Sequence, residues 1–143
     1  MTVSDIQNMI ADQITSSEQW DSDLCPVIVA DSLSTTTRIA EALQRACGFV
    51  AVVSRPRLRY AGASDDGTCA WNVEEARVEV YESGAVRAAE SATETNCYDL
   101  ALLAADIVQS AAGIYLSPAS IDDASDDESG IAVARVFFSS TIN

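Results

Sequence analysis

Residues 49–82 read FVAVVSRPRLRYAGASDDGTCAWNVEEARVEVYE, and this stretch decides the architecture. Phe49 to Ser54 is a short apolar run, rich in valine, of the kind that forms a buried strand. Arg55-Pro56-Arg57-Leu58-Arg59-Tyr60 continues it in a polar, edge-like register, because Pro56 has no N–H to give to a ladder. Asp65-Asp66-Gly67 carries turn chemistry, and its Asp-Gly pair favours a tight reversal. From Trp71 to Glu82 the chain returns as a strand. Arg77-Val78-Glu79-Val80-Tyr81 alternates, which turns Val78 and Val80 inward and Arg77, Glu79 and Tyr81 outward. The two runs predict one long hairpin, closed by Gly84.

Helices flank it. Before the hairpin, Asp31, Ser32 and Ser34 are good N-caps, and a helix is expected from about Leu33 to Cys47 with Ile39, Ala40, Leu43, Ala46 and Cys47 on one face. Gly48 stands where a left-handed residue ends such a helix. After the hairpin, Asn96 with Asp99 caps a helix over 97–112, whose apolar face carries Leu100, Leu103, Ala104, Ile107, Val108 and Ala111. Near the start, Ser4 with Gln7 fits a capping box, and Val3, Ile6, Ile10 and Ile14 form a narrow stripe. Its opposite face is polar, so residues 1–23 are expected to be a surface helix and a loop anchored by Trp20.

Three further strands are suggested. Leu24 to Ala30 is short, and Pro26 favours an edge or the first residues of a strand. Ile114 to Ile121 is interrupted by Pro118, and Ile131 to Ile142 places Ala132, Ala134, Val136, Phe138 and Ile142 on one face. No alternating βαβ series appears. The expected fold is a single α+β domain over 1–143: a mixed or antiparallel sheet of about four strands, with the helices packed on one face and the core in 24–143. The edges of such a sheet are open to pairing with another chain.

Composition excludes more than it names. The chain has 143 residues, of which 48% are hydrophobic, enough for one core. Acidic residues outnumber basic ones 22 to 8, for a net charge of −14, and every basic residue is Arg. There is no His, which removes imidazole bases, Ser-His-Asp and Cys-His catalysis, and zinc sites that need a His ligand. The negative balance opposes nucleic-acid binding. No apolar run approaches the roughly 18 residues of a membrane span, and no basic segment precedes an apolar one as in a secretory leader.

Four cysteines, Cys25, Cys47, Cys69 and Cys97, lie far apart without a C-x-x-C pair. They are expected to be reduced, buried and slow to react, although four could also pair as two disulfides in a secreted chain. Asp122, Asp123, Asp126, Asp127 and Glu128 crowd an acidic loop over 122–130, whose spacing is not that of a calcium loop, so no metal and no cofactor is expected. Arg55, Arg57 and Arg59 are the one basic cluster. On a strand they project together, against the protein's own Glu79 and Glu82, toward a second subunit, or, as a third reading that the rest of the molecule's charge opposes, toward nucleic acid. An alternative oligomer contact is the N-terminal stripe of Ile6, Ile10 and Ile14.

In its element order the chain resembles the tail terminator and tail completion proteins of long-tailed bacteriophages. The resemblance rests on the helix Ser34 to Cys47 running through Gly48 into Phe49–Val53, on the hairpin ending Arg77-Val-Glu-Val-Tyr81, on the helix Cys97 to Ala112, and on the strand Ala132-Val-Ala-Arg-Val-Phe-Phe138. It implies a structural virion protein without enzymatic activity. It further implies a hexameric ring, assembled in the host cytoplasm, that caps the tail tube and contacts neighbouring tube and neck proteins. The stretch before Leu24 and the acidic loop depart from that pattern. Two other classes remain open on the residues: a small cytoplasmic ligand-binding or regulatory module, and an enzyme using carboxylates and a metal.

Overall fold

A computed structural model describes residues 2–31, 33–45, 48–89, 95–110, 115–126 and 128–140. In chain order the elements are α1 (Val3–Ser16), β1 (Val27–Val29), α2 (Thr35–Arg45), β2 (Phe49–Val53), β3 (Arg57–Ala63), β4 (Cys69–Ser83), α3 (Gly84–Ala89), α4 (Cys97–Ser110), β5 (Leu116–Asp123) and β6 (Ile131–Ser140). The class is α+β, as the sequence implies, but the sheet is mixed and has six strands rather than four. Its main path runs β1-β2-β4-β6-β5, with β3 also paired to β4.

The long hairpin is its spine. β2 and β3 lie successively against the 15-residue β4, and the register carries on unchanged from Val53↔Val78 to Leu58↔Val73. Between these pairs an extra β4 residue, Glu74, forms a bulge where Arg57 pairs with Glu75. A bulge reverses which face the next side chains take. Val73 therefore packs against the same core as Val78 and Val80, although its parity differs. Short apolar β2 is buried at all five positions because it lies between β1 and β4 and is covered on both faces.

One face of the sheet carries the main core: Phe49, Ala51 and Val53 from β2, Ala76, Val78 and Val80 from β4, and Ala134, Val136 and Phe138 from β6. α1 and α4 close it through Ile10, Ile14, Leu100, Ala104 and Val108, among others. Each of the larger side chains contributes about 1.5–3 kcal/mol by leaving water, and each alanine well under half of that. The N-terminal helix lies on the surface with a polar outer face, Ser4, Asp5, Asn8 and Asp12 being exposed, but its apolar stripe is not free. Ile10 and Ile14 are fully buried and Ile6 packs partly against them, so the Ile6/Ile10/Ile14 stripe faces the protein's own sheet and has little surface to offer a second subunit.

Helix α2 lies on the other face, contrary to the one-face expectation. Val50 and Val52 alternate with the core residues of β2, yet both are buried, and Leu43 of α2 is buried outside the main core cluster. β1 pairs in parallel with β2, so β1-α2-β2 is one βαβ crossover, a unit the sequence pattern did not announce. Ala40 is exposed, because α2 offers only a narrow stripe; Ala46 and Cys47 lie outside the described residues. Gly48 follows with φ 86, and its carbonyl accepts from Ser83 N.

The caps divide similarly. Asn96 and Asp99 form the predicted reciprocal cap of α4. At α1 the box is Thr2 with Asp5, ahead of Ser4 with Gln7 in the chain. Gln7 is instead buried, and its Nε2 donates to Ala30 O and Val53 O, each at 3.1 Å. It pins α1 to the ends of two strands. Trp20 anchors the polar loop as expected: it is buried and its Nε1 donates to Cys25 O at 2.9 Å.

Candidate assembly surface

Beyond Ala76↔Phe138 the ladder with β6 ends, and the first part of β4 keeps β3 as its strand partner. The result is a two-stranded arm over residues 57–75: its base stays on the core, where Val73 packs and its carbonyl accepts from Ser140 Oγ at 2.9 Å, and its outer part, from Arg59 to Asn72, runs on beyond β6. A turn over Ser64–Thr68 closes it, in which Asp66 accepts from Ser64 and Thr68 and its carboxyl is held down at about 2 by those bonds. Gly62 has φ 116 beside the extra β3 residue Ala61, a backbone that a side chain would strain. Across the arm Tyr60 meets Trp71 edge to face, with ring centroids 5.7 Å apart. Both rings stay more than half exposed, at 55% and 56%. β3 lies along the outer edge beyond the end of β1, with no further strand beside it among the described residues.

All three stripe arginines are exposed here. Arg57 and Arg59 alternate on β3, and Arg55 lies in the link before it. The carboxylates facing the stripe are not Glu79 and Glu82. Arg57 instead reaches Glu74 at 3.1 Å and Glu75 at 3.4 Å, at the bulge. Arg55 and Arg59 make no ion pair among the described residues.

Glu79 belongs to a different cluster on the sheet face that bears α2. It accepts from Ser54 Oγ at 2.8 Å and from Tyr81 OH at 2.9 Å. Arg77 Nε lies 3.0 Å from its Oε1 but is too poorly aligned to donate. Burial, reinforced by the Glu79 charge, pushes the Tyr81 phenol up to about 12. On the neighbouring strands Arg135 grips Asp122 through two bonds of 2.7 Å and stacks over Phe137 at 5.4 Å. That grip holds the Asp122 carboxyl below its usual range. These groups largely neutralise one another.

The acidic loop is accordingly shorter than 122–130. Asp122 and Asp123 end β5, and the turn proper begins at Ala124. Asp123 and Asp126 accept from Ser125 N and Glu128 N, while Asp127 lies outside the described residues. Among the described residues no group of three or more potential ligands is placed to hold a metal. A groove of about 310 Å³ lies between α2 and β1, lined by Pro26, Ile28, Arg38, Glu41, Ala42 and Arg45. Arg38 is already committed to Val29 O at 2.9 Å and to Asp31.

The cysteines do not behave alike. Cys25 and Cys97 are buried free thiols, but Cys69, at the base of the arm's turn, is exposed; Cys47 lies outside the described residues. Proximity to Trp71 suggested burial, and the projection of the arm removes it. Burial pushes the Cys25 thiol far up and, with the Glu82 carboxylate adding to it, the Cys97 thiol up to about 11. The thiolate is the reactive form. Alkylation of the folded protein at pH 8, followed by peptide mapping, should label Cys69 within minutes and Cys25 and Cys97 only after denaturant. Equal labelling of all three would contradict this packing.

The chain matches no family model, no curated protein and no solved structure.

Proposed function

We propose that this protein is a structural subunit that assembles with copies of itself into a closed ring, in the manner of the tail terminator and neck subunits it resembles in element order. The observation that supports this reading is the arm. Two isolated strands are marginal in water, yet the outer part of β3 and β4 runs on beyond β6 carrying a bare aromatic pair, Arg59 without an ion pair among the described residues and an open strand edge, with exposed Arg55 in the link before it. Such a surface is usually completed by a partner. The polar clusters elsewhere pair mostly within themselves, Arg77 Nε excepted.

Light scattering after size exclusion at 0.1 M salt checks the proposal. A mass several times 15.1 kDa, with ring-shaped particles by negative-stain electron microscopy, is the expected result. A strict monomer at all concentrations would end the ring reading. The α2–β1 groove favours a second reading, a small ligand-binding module. In that case the same monomer would bind an anionic ligand saturably, with a loss of affinity on Arg45→Ala.

A further inference from the structure

The geometry points to a specific docking partner for the arm: the β5–β6 corner of a second copy, with Arg55 and Arg59 of one subunit set against Asp123, Asp126 and Glu128 of the next. This rests on the ring reading and names the contact that would build it.

A head-to-tail ring needs two different surfaces on opposite sides of the subunit. β3 lies on the β2 side of β4, so its free edge is on the flank of the sheet where β1 ends. β5 is the terminal strand on the other flank. The two also sit at opposite ends of the strands. The arm leaves from the Ala76↔Phe138 end, and the β5–β6 turn follows the Ser83↔Ile131 end. They are diagonal corners of one sheet, too far apart to satisfy each other within a chain.

Charge selects between the free edges. A chain of net charge −14 repels its copies, and any stable contact must offset that. Arg55 and Arg59 are exposed and without an internal ion pair. At the β1 edge, Arg38 caps the Val29 carbonyl and engages Asp31, so that flank is plugged and partly neutralised. At the β5–β6 corner, Asp123, Asp126 and Glu128 are all exposed, and none forms an ion pair among the described residues. Arginine set on carboxylates across a strand edge can bond bidentately, which fixes register as well as affinity. The Tyr60–Trp71 pair lies on the opposite face of the same strand edge and adds apolar area to a partner that covers that edge.

Charge-swap complementation tests it. Variant one is Arg55→Glu with Arg59→Glu; variant two is Asp123→Arg with Glu128→Arg. Each alone is expected to raise the dissociation constant at least about a hundredfold, leaving monomers at concentrations where the natural chain is assembled. Mixed in equal amounts, they should assemble again, because the acidic arm of one meets the basic corner of the other. A misfolded variant could not be rescued by mixing, and circular dichroism checks each alone. If the Arg substitutions at the corner prove unfolded, Asp123→Asn with Glu128→Gln keeps the acceptor for Ser125 N and should still lower the salt dependence of assembly. Should the natural chain assemble while either folded charge-reversed variant does so equally well, or should two folded variants fail to rescue each other, the docking assignment is wrong and the ring reading stands. A monomeric natural chain removes the ring itself.

Discussion

A Gln7→Glu variant is expected to lose about 3–5 kcal/mol of stability at neutral pH, the range for a charge left buried and unpaired. Gln7 Nε2 gives its two N–H groups to the carbonyls of Ala30 and Val53, in a site that is 2% exposed. A carboxylate there has only acceptors and faces acceptors. Protonation would restore one donor, so the folded protein holds that proton more tightly than the unfolded chain does. The folded pKa is therefore raised, and the penalty is small below the ordinary glutamate value near about 4.3 and grows as pH rises through it. Urea titrations of both proteins at pH 4 and pH 7 read this as a difference that widens at the higher pH. A constant difference would mean that the side chain swings out to water. Gln7→Leu, which keeps the bulk and removes the donors, should cost about 1–3 kcal/mol at both pH values.

Trp20 gives the second large effect. Its ring is 5% exposed and its Nε1 provides a hydrogen bond to the Cys25 carbonyl. Trp20→Ala opens a cavity and should cost about 3–5 kcal/mol. Trp20→Phe retains much of the packing but leaves the carbonyl without that donor, for about 1–3 kcal/mol. Chemical unfolding should rank the natural chain above the Phe variant and the Phe variant above the Ala variant. Equal stability of the Phe variant and the natural chain would show that water replaces the bond at no cost.

What the sequence revealed follows from where a pattern has a single physical cause. Val78 and Val80 alternate on a strand with one apolar face, and they lie where alternation puts them. Asn96 with Asp99, placed immediately before a broad apolar stripe, can do little but start a helix. Patterns with two causes were less readable. The stripe Ile6, Ile10 and Ile14 is as narrow as that of a peripheral helix, but the small Ala101, Ala104 and Ala105 of α4 belong to the same core and need little room beside it. Asp122 sits in an acidic run, and only the distant Arg135 turns it into a strand residue. The bulge at Glu74 shifts every face N-terminal to it, so parity counted back from Val78 misplaces Val73. Of the candidate surface, Arg55, Arg57 and Arg59 were visible as a cluster, and their exposure agrees with that. The aromatic pair was not, because Tyr60 and Trp71 meet only once the register of the hairpin is known.

β4 is the one strand that belongs to both the arm and the core, uninterrupted from Cys69 to Ser83. Its mechanical consequence depends on direction. A pull along the arm loads the ladders to β2 and β6 in shear, so that many backbone bonds must yield together. A pull that lifts the arm out of the sheet plane concentrates the load on one pair at a time, and the last tie to the core that it meets from the tip is Val73, held by packing and by Ser140 Oγ. Such a strand resists more along its axis than across it.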